Sequence, residues 1–332
     1  MIPNRIARPA LALHNILGMD QNALLDVTRS LLECPTAPTF EARVRAQIRA
    51  LIEDLPSITV VEDAFGNLIV LYQGSDAPAR FAFTAHMDHP GWRLRPDKEF
   101  LGAVPDRLLA TAPIHEFGDF GMWDLPAFLL EGDRIHSRAC DDLIGCATIV
   151  ATLRDLSAAK AAASVYGLFT RAEEVGFIGA IQLAKSRALP SDVTVISLET
   201  SAVWPPATIG AGPIIRVGDR ISVFDPATTE YFVEIAKSQN RRHQRCLMAG
   251  GTCEGTAFQT YGYRSGALCI ALGNYHNCAP DDRIATEYVS LSDMVGLVEL
   301  CAAIAQDQTP AVDPLAARKK GFEELLLKYP LR

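Results

Sequence analysis

The chain has 332 residues, 31 basic and 39 acidic side chains, a formal net charge of −8 and 49% hydrophobic residues. That length permits one large domain, or one domain carrying an insertion. The acidic balance argues against a nucleic-acid partner, because neutralising phosphates needs a basic face, and no apolar run of about 18 residues predicts a membrane span.

At the N-terminus, MIPNRIARPALALHNILGM is interrupted by Pro9, His14 and Asn15, so no signal peptide is read there. Residues 40–55 have helical apolar spacing. Residues 58–74 read as two strands joined around Gly66-Asn67. A buried strand over 79–88 ends in polar residues, among them His86 and Asp88. The stretch 93–133, rich in Pro, Gly, Asp and aromatics, breaks the rhythm and reads as a β-rich insertion. Then follow a helix at 140–156, a strand at 163–170, a helix at 176–188 and a strand at 192–200. A helix at 229–240, a strand at 265–273 and a helix at 291–306 complete the series. Strands alternating with helices predict an α/β fold, with a mostly parallel mixed sheet sandwiched by helices. The domain expectation is a main unit of residues 1–92 and 134–332, with 93–133 as a small insert. The eight cysteines include no C-x-x-C pair, which predicts reduced thiols and a cytoplasmic location.

Five segments end apolar strands or open helices with metal-ligand side chains: FAFTAHMDHPG, SRACDDLIG, LFTRAEEVG, VISLETS and ALGNYHNC. In open α/β sheets, ligands bind beyond the carboxyl ends of strands. One terminal carboxylate is ordinarily a helix cap, but five such junctions together are hard to explain that way. His86 and Asp88 share a face if the strand persists, so Asp88 can accept the second ring N–H of His86 and orient it. A hydrogen-bonded pair in a loop is the alternative. Of Asp141 and Asp142, one suits a helix cap and the other a bridge between two metal ions. Glu173 and Glu174 reach one site only if the chain is already turning there. One could then bind metal while its neighbour holds a proton. His86, Asp141, Glu174, Glu199 and His276 are the candidate ligands. Two imidazoles and three carboxylates suit two zinc-like ions sharing a bridge, and cobalt or manganese would accept the same set.

The ordered string His-x-Asp, Asp-Asp-x-x-Gly, Glu-Glu-x-Gly, an acid and a final His resembles the dinuclear zinc exopeptidases of clan MH. Within them it is most similar to the tetrahedral aminopeptidases, which include glutamyl aminopeptidases and proteins labelled endoglucanases. GAGPIIRVGD and GGTCEGTAF also look like segments of that group, and the resemblance spans roughly residues 20–305. It implies a zinc-exopeptidase-like three-layer fold and an aminopeptidase acting on peptides. It implies one ion on His86, Asp141 and Glu199, and another on Asp141, Glu174 and His276. Glu173 becomes the general base, Asp88 the residue that orients His86, and the Asp141–Asp142 peptide is expected to be cis.

Three departures bear on these expectations. The segment between His86 and Asp141 is short for the family's dimerisation lobe, which predicts a homo-oligomer smaller than a dodecamer. Leu143 stands where the family often has Arg. Glu199 stands where its aminopeptidases commonly have Asp, and Glu is frequent there among the clan's carboxypeptidases and amide hydrolases. The alternatives are therefore a carboxypeptidase or amidohydrolase acting on N-acyl amino acids, or a non-catalytic relative that binds a peptide or partner. His89 reads as a solvated loop histidine. Cys253 and Glu254 read as possible pocket lining or as part of a Gly-rich turn without contacts.

Overall fold

The structure is a computed structural model that describes residues 20–307 and 315–329. The N-terminal stretch examined for a signal peptide ends outside these residues. Two helices, α1 (Gln21–Leu32) and α2 (Ala42–Ile52), precede the hairpin β1 (Ile58–Glu62) and β2 (Leu68–Gln73) and the strand β3 (Phe81–His86). Six short strands follow: β4 (Gly91–Arg93), β5 (Glu99–Leu101), β6 (Ile114–Glu116), β7 (Phe120–Trp123), β8 (Leu129–Glu131) and β9 (Arg134–Ser137). The chain continues with α3 (Cys140–Ala158), β10 (Ser164–Thr170), α4 (Ile178–Ser186), β11 (Thr194–Ala202) and β12 (Ile214–Gly218). Next are α5 (Pro226–Ser238), β13 (Gln244–Leu247), α6 (Glu254–Thr260) and β14 (Arg264–Leu272). The last elements are β15 (Glu287–Ser290), α7 (Leu291–Gln306) and α8 (Ala316–Lys328).

Eight strands form the central sheet in the order β1-β2-β10-β3-β11-β14-β12-β13. Its middle four, β10, β3, β11 and β14, are mutually parallel. Every residue of β3 is buried, because helices cover both faces. Alternate side chains divide between them. Phe81, Phe83 and Ala85 join the large core with α1, α2, α3 and α7, whereas Ala82 joins Leu183 and Phe258 beneath α4 and α6. Gly167 of β10 faces α3, and a Cβ there would lie 2.7 Å from Ile149, so the close approach of helix to sheet requires glycine.

Register sets the floor of the site. Thr170 pairs with His86, so β10 and β3 end level. Ser197 pairs with Thr84, which places Glu199 two residues further along, level with His86. All of these chain ends emerge on one edge of the sheet.

Two smaller sheets lie beyond β3. β5-β4-β7-β6 is antiparallel and is packed around Trp92, Trp123 and Phe100. Its first strand straddles the expected boundary at 92/93. β8 belongs instead to a second sheet, pairing with β9, which in turn pairs with β15, so the end of the 93–133 stretch is joined through β9 to the main unit. Strands β12 and β13, helices α1, α6 and α8, and strand β15 are additions to the elements read from sequence. Among the described residues no helix is long and apolar enough to cross a membrane. All eight cysteines are free thiols.

Candidate metal centre

β3 delivers His86 to the edge of the sheet, and the next residues turn rather than extend. His86 Nδ1 lies 3.2 Å from the backbone carbonyl of Asp88 and 3.5 Å from its Oδ1. Either acceptor puts the proton on Nδ1 and leaves the Nε2 lone pair free to face the site. The Asp88 carboxylate has a second task. Its two oxygens accept the backbone N–H groups of Glu173 and Glu174 at 3.0 and 3.1 Å. The chain can turn there because Ala172, Gly176 and Phe177 all have positive φ. That turn is what lets two adjacent glutamates face one site.

Asp141 and Asp142 open α3 with non-helical backbone angles, joined by a cis peptide as expected. Asp142 Oδ1 caps the helix by accepting the N–H of Gly145 at 3.1 Å. A Cβ on residue 145 would fall 2.2 Å from the other Asp142 oxygen, so the glycine of Asp-Asp-x-x-Gly makes room for the cap. Asp141 faces inward with one oxygen toward each histidine. Its Oδ1 is 3.4 Å from His86 Nε2 and its Oδ2 is 3.8 Å from His276 Nε2. Around these, Glu199 Oε2 is 4.0 Å and Glu173 Oε2 3.9 Å from His86 Nε2, and Glu174 Oε2 is 3.1 Å from His276 Nε2. The structure thus brings His86, Asp88, Asp141, Glu173, Glu174, Glu199 and His276 together.

These donors suit metal ions. Asp141, Glu174 and His276 form one group whose donor atoms lie within 4.8 Å of one another, and His86 forms others with Glu173 and Glu174 and with Asp142 and Glu199. Asp141 Oδ1, Asp142 Oδ2, Glu174 Oε1 and His276 Nε2 are buried without a hydrogen-bond partner. A buried polar atom left unpaired is costly, and a cation between these atoms would satisfy them. The charges agree. Burial pushes the Glu199 carboxyl up to about 8 and, with its acidic neighbours, holds Glu173 well above the ordinary range. Burial opposes the protonation of His276, but Glu174 and Asp141 outweigh it and raise the imidazole to about 9. The His276 shift records the carboxylates around it, and the two glutamates are buried charges that divalent cations would stabilise.

Several supports were not read from sequence. Glu287 accepts the N–H of Asp141 at 3.0 Å and of His276 at 2.8 Å. Glu41 accepts from the N–H groups of Thr39 and Ala172 and from Arg171. Glu254 accepts from the hydroxyls of Thr84 and Thr170, so it lies behind the site rather than in it. The carbonyl of Ala103 faces His276 Nδ1 at 2.8 Å. His89 is fully buried, which corrects its reading as a solvated loop residue. A cavity of about 310 Å³ opens over the site, lined by His86, Asp141, Glu173, Glu174 and Glu199 and by Trp204, Arg216, Met248, Gly250, Thr252 and Tyr275. Of GGTCEG, only the stretch before Cys253 reaches it.

Residues 113–290 match the M42 glutamyl aminopeptidase family. The chain belongs to that family. A protein of Acetivibrio thermocellus described as a putative aminopeptidase is 33% identical over 178 residues, 52% of this chain and 51% of that protein. The match therefore spans about half the length of this curated relative. Among solved structures, the TET1 peptidase of Pyrococcus horikoshii superposes with a TM-score of 0.73 at 23% identity, over 86% of this chain and 99% of that one. Aminopeptidase APDkam598 of the archaeon Desulfurococcus kamchatkensis gives a TM-score of 0.74 at 19% identity, over 89% and 96% of the two chains. These neighbours share the three-layer, zinc-exopeptidase-like fold seen here.

Proposed function

We propose that this M42 member is a dinuclear metallo-aminopeptidase that removes N-terminal residues from peptides. The observation that carries the proposal is Asp141, whose two oxygens face the two histidines. In this reading His86, Asp141 and Glu199 hold one divalent ion and Asp141, Glu174 and His276 the other, with zinc favoured by the donor set. Bound there, the ions would polarise the scissile carbonyl and lower the pKa of water. Glu173 lines the cavity, and its raised proton affinity suits the general base. It takes a proton from the water that adds to the carbonyl carbon and returns it to the amine nitrogen as the C–N bond breaks. Asp88 keeps Glu173 and Glu174 in place through their backbone N–H groups.

Arg216 bears on the substrate. It lines the cavity at 2% exposure, donates to Ser201 Oγ at 3.1 Å and leaves its Nε without a partner. Glu199 and Asp219 act on it electrostatically without an ion pair, and metal binding would engage the Glu199 charge. A buried guanidinium so placed suits a carboxylate brought by the substrate. The family description names glutamyl substrates, and an acidic N-terminal side chain fits. The same arginine would also suit the α-carboxylate of an N-acyl amino acid, which is the second reading. A panel of glutamyl, aspartyl and leucyl anilides set against N-acyl amino acids separates the two. Turnover of acidic anilides supports the aminopeptidase, and turnover of N-acyl amino acids alone overturns it.

The wider reading keeps residues 93–133 as an insert in a main unit of 1–92 and 134–332, and a cytoplasmic location suited to free thiols. It includes a homo-oligomer. The short insert is the ground for fewer than twelve subunits, whereas the TET1 peptidase assembles into a tetrahedron or a large octahedral shell, which weighs toward a larger particle. Light scattering decides the size.

A further inference from the structure

His89 follows the His-x-Asp motif directly, and its side chain is completely buried. Both ring nitrogens are engaged by protein. Nδ1 meets the backbone carbonyl of Asp141 at 2.5 Å, and Nε2 lies 3.1 Å from Oδ1 of Asn277. No ring nitrogen is left for a metal ion. The ring instead spans from the backbone of the candidate bridging ligand to the residue that follows the last candidate ligand.

Both ends of that span need holding. Asp141 has non-helical backbone angles at the head of α3. Its N–H is fixed by Glu287 and its carbonyl by His89, so both peptide groups around its side chain are pinned. His276 and Asn277 are consecutive left-handed residues, with φ of 52° and 61°. That conformation is disfavoured for residues with a Cβ and persists where neighbours impose it. The N–H of His276 is held by Glu287, the carbonyl of Asn277 by the N–H of Ala285, and the side chain of Asn277 by His89. His86 and Glu199, in contrast, are carried by the strands β3 and β11.

We propose that His89 is a positioning residue for the second ion, tying Asp141 to the loop that presents His276. The inference rests on the dinuclear reading above. Outer partners of this kind alter metal affinity by about 10- to 100-fold when removed.

The test is a calorimetric titration of the chelator-stripped full-length protein with Zn2+, repeated with Co2+ while the visible spectrum is followed. For His89→Ala the second equivalent should bind about 10- to 100-fold more weakly, with an altered Co2+ spectrum. The first equivalent should weaken by less, since it shares only Asp141 with the disturbed side while His86 and Glu199 stay on their strands. Asn277→Ala cuts the tie at its other end, leaves the Asp141 contact intact and should weaken the same equivalent by less. His89→Gln, which can still donate to the Asp141 carbonyl, should recover part of the loss. Far-UV circular dichroism and melting of the stripped proteins report on folding separately. Equal weakening of both equivalents, or an unchanged second step in both His89→Ala and Asn277→Ala, overturns the inference while leaving the dinuclear reading intact. A wild-type protein that takes only one equivalent overturns both.

Discussion

The two halves of the site are built differently. His86 ends β3, and Glu199 lies within β11 just past its pairing with β3, at heights set by the pairing of β3 with β10 and β11. Glu174 and His276 stand past the strand ends, on turns that run through Ala172, Phe177, Asn274, His276 and Asn277, all at positive φ. Those turns are held by the buried carboxylates of Asp88, for Glu173 and Glu174, and Glu287, for Asp141 and His276, and by the Ala103 carbonyl for the His276 ring. A ligand on a strand inherits its position from the sheet. A ligand on a turn needs side chains dedicated to it. The strand-borne half should therefore tolerate changes in its surroundings, and the turn-borne half should not.

The largest effect belongs to the proposed general base. Glu173→Gln keeps size and hydrogen bonding but loses the proton acceptor. Its kcat should fall by about 10²- to 10⁴-fold with KM little changed and both ions retained. Steady-state kinetics with elemental analysis checks this, and near-normal turnover removes Glu173 as general base.

Glu174→Gln should act on the turn-borne half alone. Removal of a direct ligand should weaken the second ion by more than the roughly 100-fold typical of outer partners, and added zinc should partly restore turnover. If Glu174→Gln kept both ions and lost only turnover, while Glu173→Gln lost metal, the two roles would be exchanged.

Smaller again is Glu287→Leu, which strips the acceptor from two buried N–H groups. Each group left unpaired costs about 1–3 kcal/mol, so the metal-free protein should melt at lower temperature. In the metal-loaded protein the second ion should dissociate first on stepwise addition of chelator. Loss of the ion on His86 and Glu199 first would break the contrast between the halves.

The same contrast explains what the sequence revealed. The central strands were legible because each is an apolar run covered on both faces, and the ligands because four such runs, and the opening of α3, carry His, Asp or Glu. The supports were not. Glu287 receives its bonds from residues 146 and 11 positions away, in a segment, ATEYVS, that carries no signal of its own. His89 was read as solvated because nothing beside it encodes the Asp141 carbonyl 52 positions further on. Strand β12 was seen only as part of the segment GAGPIIRVGD, and its Arg216 gained meaning once the cavity placed it beside Glu199. Asp88 was legible as the partner of His86, but its grip on the Glu173–Glu174 turn depends on β3 and β10 ending level.

The central claim is that two ions share Asp141. Its most direct test is the metal content of the gently purified full-length protein, measured by elemental analysis before and after equilibration with zinc or cobalt. The account predicts two equivalents per chain, falling to one or none in Asp141→Asn. A stoichiometry fixed at one in the wild-type protein, even with excess metal, would contradict it.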